Sequence, residues 1–221
     1  MTQTMTPEAA VDQLNVYWDS ATSVYLMLYD ATATSSPPTA AEIYAAEVPE
    51  ENGYSRKAIA PVLPAEWNAA TNSAERTMLN TTVGATGGTI TYSAYAIVRN
   101  GTAESNKIAT ATSANNSFNV VGHGLNNGDR ILITADATAT LPSGLSGTTF
   151  YYADVTDADN FTLLDEPGGA GIGFTSDGSG TLRLRYCAGA AGWFEKLTSS
   201  RTIDPSGDPH PFTGITVFQE V

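Results

Sequence analysis

The chain of 221 residues holds one cysteine, two histidines and ten lysines and arginines in all, and each scarcity removes a class of explanation. A single thiol, Cys187, forms no internal disulfide, so the fold is expected to mature in a reducing compartment or to do without oxidation. Ten basic residues against 23 acidic ones leave a net charge of −13. With no run of Lys or Arg, the counterion release that drives nucleic-acid binding is missing, as is attraction to an anionic membrane surface. Long apolar runs are absent too. The longest, Val24-Tyr25-Leu26-Met27-Leu28-Tyr29, falls far short of the ~20 residues a membrane-spanning helix needs. The segment from Met1 to Asp19 has neither a basic stretch nor an apolar core, so no secretion signal is expected there. These exclusions lead to a soluble protein with no nucleic-acid partner and no membrane insertion, whose partners are protein or glycan.

What is present reads as globular. Hydrophobic residues make up 42% of the chain and charged ones only 15%, the remainder being rich in Thr, Ser, Ala, Asn and Gly. Helix signals are few, because 20 glycines and 11 prolines interrupt the chain. Thr6-Pro7-Glu8 predicts a capped helix continuing through Val11 and Leu14, and Thr39 to Ala46 predicts a shorter one. Strand signals dominate elsewhere. Ser23 to Tyr29 suits a strand buried on both faces, and Ser55 to Ala60 predicts a second, closed by Pro61. Thr89 to Arg99 is β-branched and aromatic, with Ile90, Tyr92, Ala94, Ala96 and Val98 expected on one face and an Asn100-Gly101 turn after it.

Between residues 109 and 181 the texture changes to short strands on glycine-based turns: Ser117 to Val121, Asp129 to Thr134, Phe150 to Thr156, Asn160 to Leu164 and Thr181 to Tyr186. Five such strands predict a small barrel or sandwich. Beyond Tyr186 the earlier character returns, with strands expected at Trp193 to Leu197 and Thr213 to Phe218. Their natural home is the sheet holding the first strand. The expected fold is therefore all-β: a discontinuous, jelly-roll-like β-sandwich from residues 1–108 and 187–221, with an inserted small barrel-like module at 109–186.

Sites of chemistry are sparse. His123, in Val121-Gly122-His123-Gly124-Leu125, reads as a hydrogen-bonding turn residue in preference to a base, and His210 lies between two prolines. No Gly-x-Ser-x-Gly elbow occurs. Asp154, Asp157, Asp159, Asn160, Asp165 and Glu166 form an acidic loop of the kind that can hold calcium, but they lack the spacing of a calcium loop and read as solvated. Cys187 with two distant histidines is no zinc set. Gly168 to Gly173 superficially matches a dinucleotide fingerprint without its second half. Trp67, Tyr151, Tyr152 and Trp193 are candidate glycan-stacking aromatics, more simply read as core or interface. No catalytic, cofactor-binding or metal-binding residue is assigned.

Several stretches nevertheless look familiar. Tyr25 to Tyr29, Glu47, Gly53-Tyr54-Ser55-Arg56-Lys57-Ala58, Asn80 and Gly87 to Tyr95 resemble a family of bacteriophage structural proteins commonly labelled tail-fibre-like, with Gly192 to Leu197 and Ile203 to Phe218 similar to its closing elements. Ser55 stands where that pattern usually has Ala. Residues 109–186 resemble a glycine-rich β-module of phage virion proteins, carried by His123-Gly124-Leu125, Gly128-Asp129-Arg130, Leu141 to Leu145, Phe150-Tyr151-Tyr152, Phe161-Thr162-Leu163 and Gly178 to Thr181.

The resemblance implies a non-enzymatic virion protein of the tail fibre, baseplate or tail adaptor, acting in particle assembly or host attachment. A capsid decoration protein is the alternative, and a glycan-degrading depolymerase a more distant one. It also implies a homotrimer or other symmetric oligomer, contacts with further virion proteins, and a host-surface glycan or protein as receptor.

Overall fold

A computed structural model describes residues 5–60, 64–78, 80–207, 209–213 and 215–220, and the chain is all-β with a small closed barrel. Helix α1 (Pro7–Asp19) starts where the sequence signals it: the Thr6 hydroxyl accepts from the Ala9 amide, and Pro7 gives up no needed donor. Ala10, Leu14 and Trp18, spaced by four, form its buried stripe. Helix α2 (Ala40–Ala45) is capped by Thr39 and Glu42, each side chain bonded to the other's backbone. No helix among the described residues is long and apolar enough to cross a membrane.

Among the described residues fifteen strands run in chain order: β1 (Val24–Tyr29), β2 (Lys57–Ala58), β3 (Glu66–Asn68), β4 (Ser73–Thr77), β5 (Thr81–Val83), β6 (Ile90–Arg99), β7 (Asn106–Thr112), β8 (Ser117–Asn119), β9 (Arg130–Ala135), β10 (Tyr151–Val155), β11 (Asn160–Leu164), β12 (Leu182–Tyr186), β13 (Ala190–Ile203), β14 (His210–Phe212) and β15 (Thr216–Glu220). The central sheet runs β13-β6-β1-β2 and is antiparallel throughout. One face packs on α1 and on two smaller sheets, β15-β4-β3 and β14-β5, through Leu26, Leu28, Ile97, Met78 and Val217. The other face packs on α2 and the barrel through Met27, Tyr29, Ala96, Val98, Ile43 and Leu132.

Two expectations for the sheets need correction. Ile90, Tyr92, Ala94, Ala96 and Val98 do not share a face: Ile90 and Tyr92 join the first cluster, and Ala94, Ala96 and Val98 the second. The change falls beside a bulge in β13, where the pairing passes from Lys196 with Ala94 to Arg201 with Tyr92, and a bulge re-aims side chains. The closing strand β15 pairs with β4, not with the sheet that holds β1. Pro61 and Gly214 lie outside the described residues, as does the side chain of Trp193.

The barrel closes in the order β7-β8-β11-β10-β9-β12, every neighbour antiparallel, and sits in the chain between β6 and β13, which pair with each other from Arg99 and Ala190 onward. It has six strands, not five, because Asn106–Thr112 is also a strand. The interior is packed solid with Phe118, Ile131, Ile133, Phe161, Leu163, Leu182 and Leu184. On β12, alternation puts Leu182 and Leu184 inside and turns Arg183 and Arg185 outward, yet both arginines are buried. Their side of the barrel lies against the rest of the protein.

Candidate functional site

That buried junction gathers most of the protein's arginine. Arg56 donates through Nε and Nη2 to the two carboxylate oxygens of Glu47 at 2.8 and 2.7 Å, and through Nη2 also to the Tyr186 carbonyl at 2.9 Å. Tyr54 adds a hydroxyl bond to Glu47 Oε1 at 3.0 Å. Arg185 donates to the Glu47 carbonyl at 2.9 Å and to Thr134 Oγ1 at 3.1 Å. Burial pushes the Arg185 guanidinium down; on Arg56 burial is also the largest single influence, but the charge and hydrogen bonds of Glu47, together with Tyr54 and Tyr44, more than offset it and the net shift is upward. Arg183 forks onto Asp136 at 2.8 and 2.9 Å and reaches Glu51 at 2.6 Å. Arg130 ties β9 to the carbonyls of Cys187 and Gly189 at the exit from the barrel. These guanidinium-to-carbonyl and guanidinium-to-carboxylate bonds, fully buried at Arg56 and Glu47 and part-exposed at the Glu51 and Asp136 ends, tie the barrel to its support.

Beside the seam a groove of about 660 Å³ opens between the barrel and the loop after α2. Glu50, Glu51 and Glu104 line it together with Asn106, Thr110 and Asn119. Its rim carries two aliphatic side chains in water, Ile108 at 63% and Val121 at 79% exposure.

The structure spreads out the residues singled out from sequence. His123 is buried; its Nδ1 accepts from the Leu125 amide at 2.9 Å, which puts the ring proton on Nε2, 3.0 Å from the Asp157 carbonyl. It is a turn residue packed edge-on to Phe161. Asp157 accepts from the amides of Asp159 and Asn160 and from the Asn160 side chain, bonds that hold its carboxyl below the usual range. Asp159 accepts from the Gly122 amide at 2.7 Å, and Asp165 from that of Ala170 at 2.8 Å. These acids cap turns. No group of three or more His, Cys, Asp or Glu among the described residues is placed to hold a metal ion.

Cys187 is fully buried, and burial pushes its thiol up to about 12. Gly168 to Gly173 forms a loop between β11 and β12, bridged to Leu164 through Gly171. His210 packs edge-on to Tyr92 and Phe212. Tyr151 is buried with its hydroxyl accepting from Ser146, and Tyr152 and Trp67 are half-buried. Sequence reasoning missed Ile108, Val121 and the glutamates facing them. The available signal was two large aliphatics at outward-facing positions of a Thr-rich module. No family model, no curated protein and no solved structure matches this chain.

Proposed function

We propose that this protein is a non-enzymatic structural component of a bacteriophage particle, belonging to a tail fibre, baseplate or tail adaptor, and that it presents the barrel outward for contacts in assembly or host attachment. The observation that carries this reading is the fully buried pair of Arg56 and Glu47 at the foot of the barrel, extended by Arg130, Arg183 and Arg185. A device of that strength sets one rigid body on another, which is what a scaffold of repeated contacts requires. The phrases in Gly53 to Ala58 and in the barrel turns, similar to those of phage structural proteins, agree with it. The acidic residues 154, 157, 159, 165 and 166 support the same reading, since they keep the barrel's outer turns solvated and the free protein soluble. In this reading the protein forms a symmetric homo-oligomer, a trimer foremost, and contacts other virion proteins and a host-surface glycan or protein.

The test is immunogold electron microscopy of gradient-purified particles from the virus whose genome encodes the chain, using antibody raised against the full-length protein. Discrete label on the tail is the expected result. Abundant protein in the lysate with none on the particles would sink the reading.

A further inference from the structure

Val121 stands in water on a turn tied by hydrogen bonds on both sides of it. The Val120 amide donates to the Asp159 carbonyl at 2.8 Å, the Gly122 amide to Asp159 Oδ1 at 2.7 Å, and Lys107 Nζ to the Gly122 carbonyl at 2.6 Å. Gly122 and Gly124 adopt φ of 58° and 65°, a conformation glycine takes at little cost, and His123 pins the turn from beneath. Four large hydrophobics are strongly exposed among the described residues, and two of them, Ile108 and Val121, border the same groove. An exposed aliphatic side chain on a hydrogen-bonded turn beside a concave surface binds at a reduced ordering cost.

The charge of the groove selects the occupant. Both cations in it are engaged internally: Lys107 bonds Gly122 and lies 3.4 Å from Glu104, and Arg183 is shared among Glu51, Asp136 and Asn106. Glu50 spends one oxygen, Oε2, on Ser105 and the Asn106 amide. Arg183 takes an oxygen of Glu51 and Lys107 one of Glu104, so three carboxylates against two cations leave the groove one charge negative, on a chain of net charge −13. A second copy is poorly matched. Of the ten basic residues, Arg56, Arg130, Arg183 and Arg185 serve the junction, Arg76 and Arg99 bind α1, and Lys107 belongs to the groove, leaving Lys57, Lys196 and Arg201.

We infer that this groove is a docking site for a segment of a different protein, one that carries aliphatic side chains flanked by lysine or arginine: the aliphatic groups pack on Ile108 and Val121, and the cations pair with Glu50 and share Glu51 and Glu104 with Arg183 and Lys107. The inference rests on the assembly reading for the partner being another virion protein, while its chemistry is tested on the purified chain alone.

The probe is a short fluorescein-labelled peptide of alternating lysine and valine, titrated into the full-length protein and followed by anisotropy. A lysine–serine peptide and a glutamate–valine peptide serve as comparisons. The lysine–valine peptide is expected to bind, to weaken about tenfold in Ile108→Ser/Val121→Ser, and to weaken again as salt rises to about 0.5 M. Both substitutions replace exposed side chains, so an unchanged melting temperature separates lost binding from lost fold. Equal binding of the lysine–valine and lysine–serine peptides, full binding by the double variant, or no binding at all would overturn the proposal. Self-association of the peptide-free protein that the double variant abolishes would overturn it in favour of a second copy. Particles without label would sink the assembly reading and leave this measurement standing.

Discussion

Arg56 sets two of its donor nitrogens on the two carboxylate oxygens of Glu47, and neither side chain has any exposed surface. The pair joins the loop after α2 to the strand entering the central sheet, and through the Tyr186 carbonyl it reaches the last strand of the barrel. Removing one partner leaves a buried, uncompensated charge. Glu47→Gln is expected to lower unfolding stability by about 3–5 kcal/mol in urea titrations. Glu47→Gln/Arg56→Met is expected to cost less than the sum of the single changes, because the second removes the stranded cation. Additive losses would show that the pair is not coupled.

Cys187 reports on the same seam. Its thiol is buried, and burial raises its pKa from 9.0 to about 12. A thiol reagent at pH 8 is expected to label it far more slowly than in urea-unfolded protein, and Glu47→Gln is expected to speed labelling under native conditions by loosening the junction. The sign of the linkage is that of a group neutral when protonated. Its contribution is fully present below pH 9 and is lost as pH rises toward 12, so Cys187→Ala should flatten the alkaline limb of melting temperature against pH.

Glu42 behaves in the opposite sense. The Thr39 amide, followed by the Ser35 hydroxyl, holds its carboxyl down from 4.5 to about 2. Stability from this cap is fully present above pH 4.5 and is lost as pH falls toward 2. Glu42→Gln is therefore expected to melt lower than wild type at pH 7 and to converge with it near pH 2, as read by circular dichroism. A constant offset across that range would show that ionisation of Glu42 is not the cause.

Gly189 and Gly124 both have positive φ, 84° and 65°, but differ in what surrounds them. A Cβ at Gly124 meets nothing within 4 Å, whereas at Gly189 it runs into the backbone of Arg99 and Asn100. Gly124→Ala is expected to cost about 1 kcal/mol, the strain of the left-handed conformation alone. Gly189→Ala should cost distinctly more, because the exit from the barrel must separate from the β6 turn. Equal losses would mean that the backbone there yields freely.

Local rules carried much of the fold. Thr6 with Pro7 and Thr39 with Glu42 mark their helices because a cap needs only neighbours in sequence. Val24 to Tyr29 and Asn160 to Leu164 are legible as strands because composition and flanking turns bound them. Asn106–Thr112 was not, since it brings only Ala109 and Ala111 to an interior that Phe118, Phe161 and Phe174 fill from elsewhere.

The sequence by itself thus determined an all-β chain with a small barrel and the placement of its caps. Tertiary structure alone decided that Arg183 and Arg185, outward by alternation, would be buried against Glu51 and the Glu47 carbonyl. It also decided that β15 would pair with β4, that β6 would change face between Tyr92 and Ala94, and that Ile108 and Val121 would share a groove with three glutamates. The physical reason is range. A period of two says which side of a strand a residue takes, but what meets that side is set by contacts between segments tens of residues apart, and those form only when the whole chain packs.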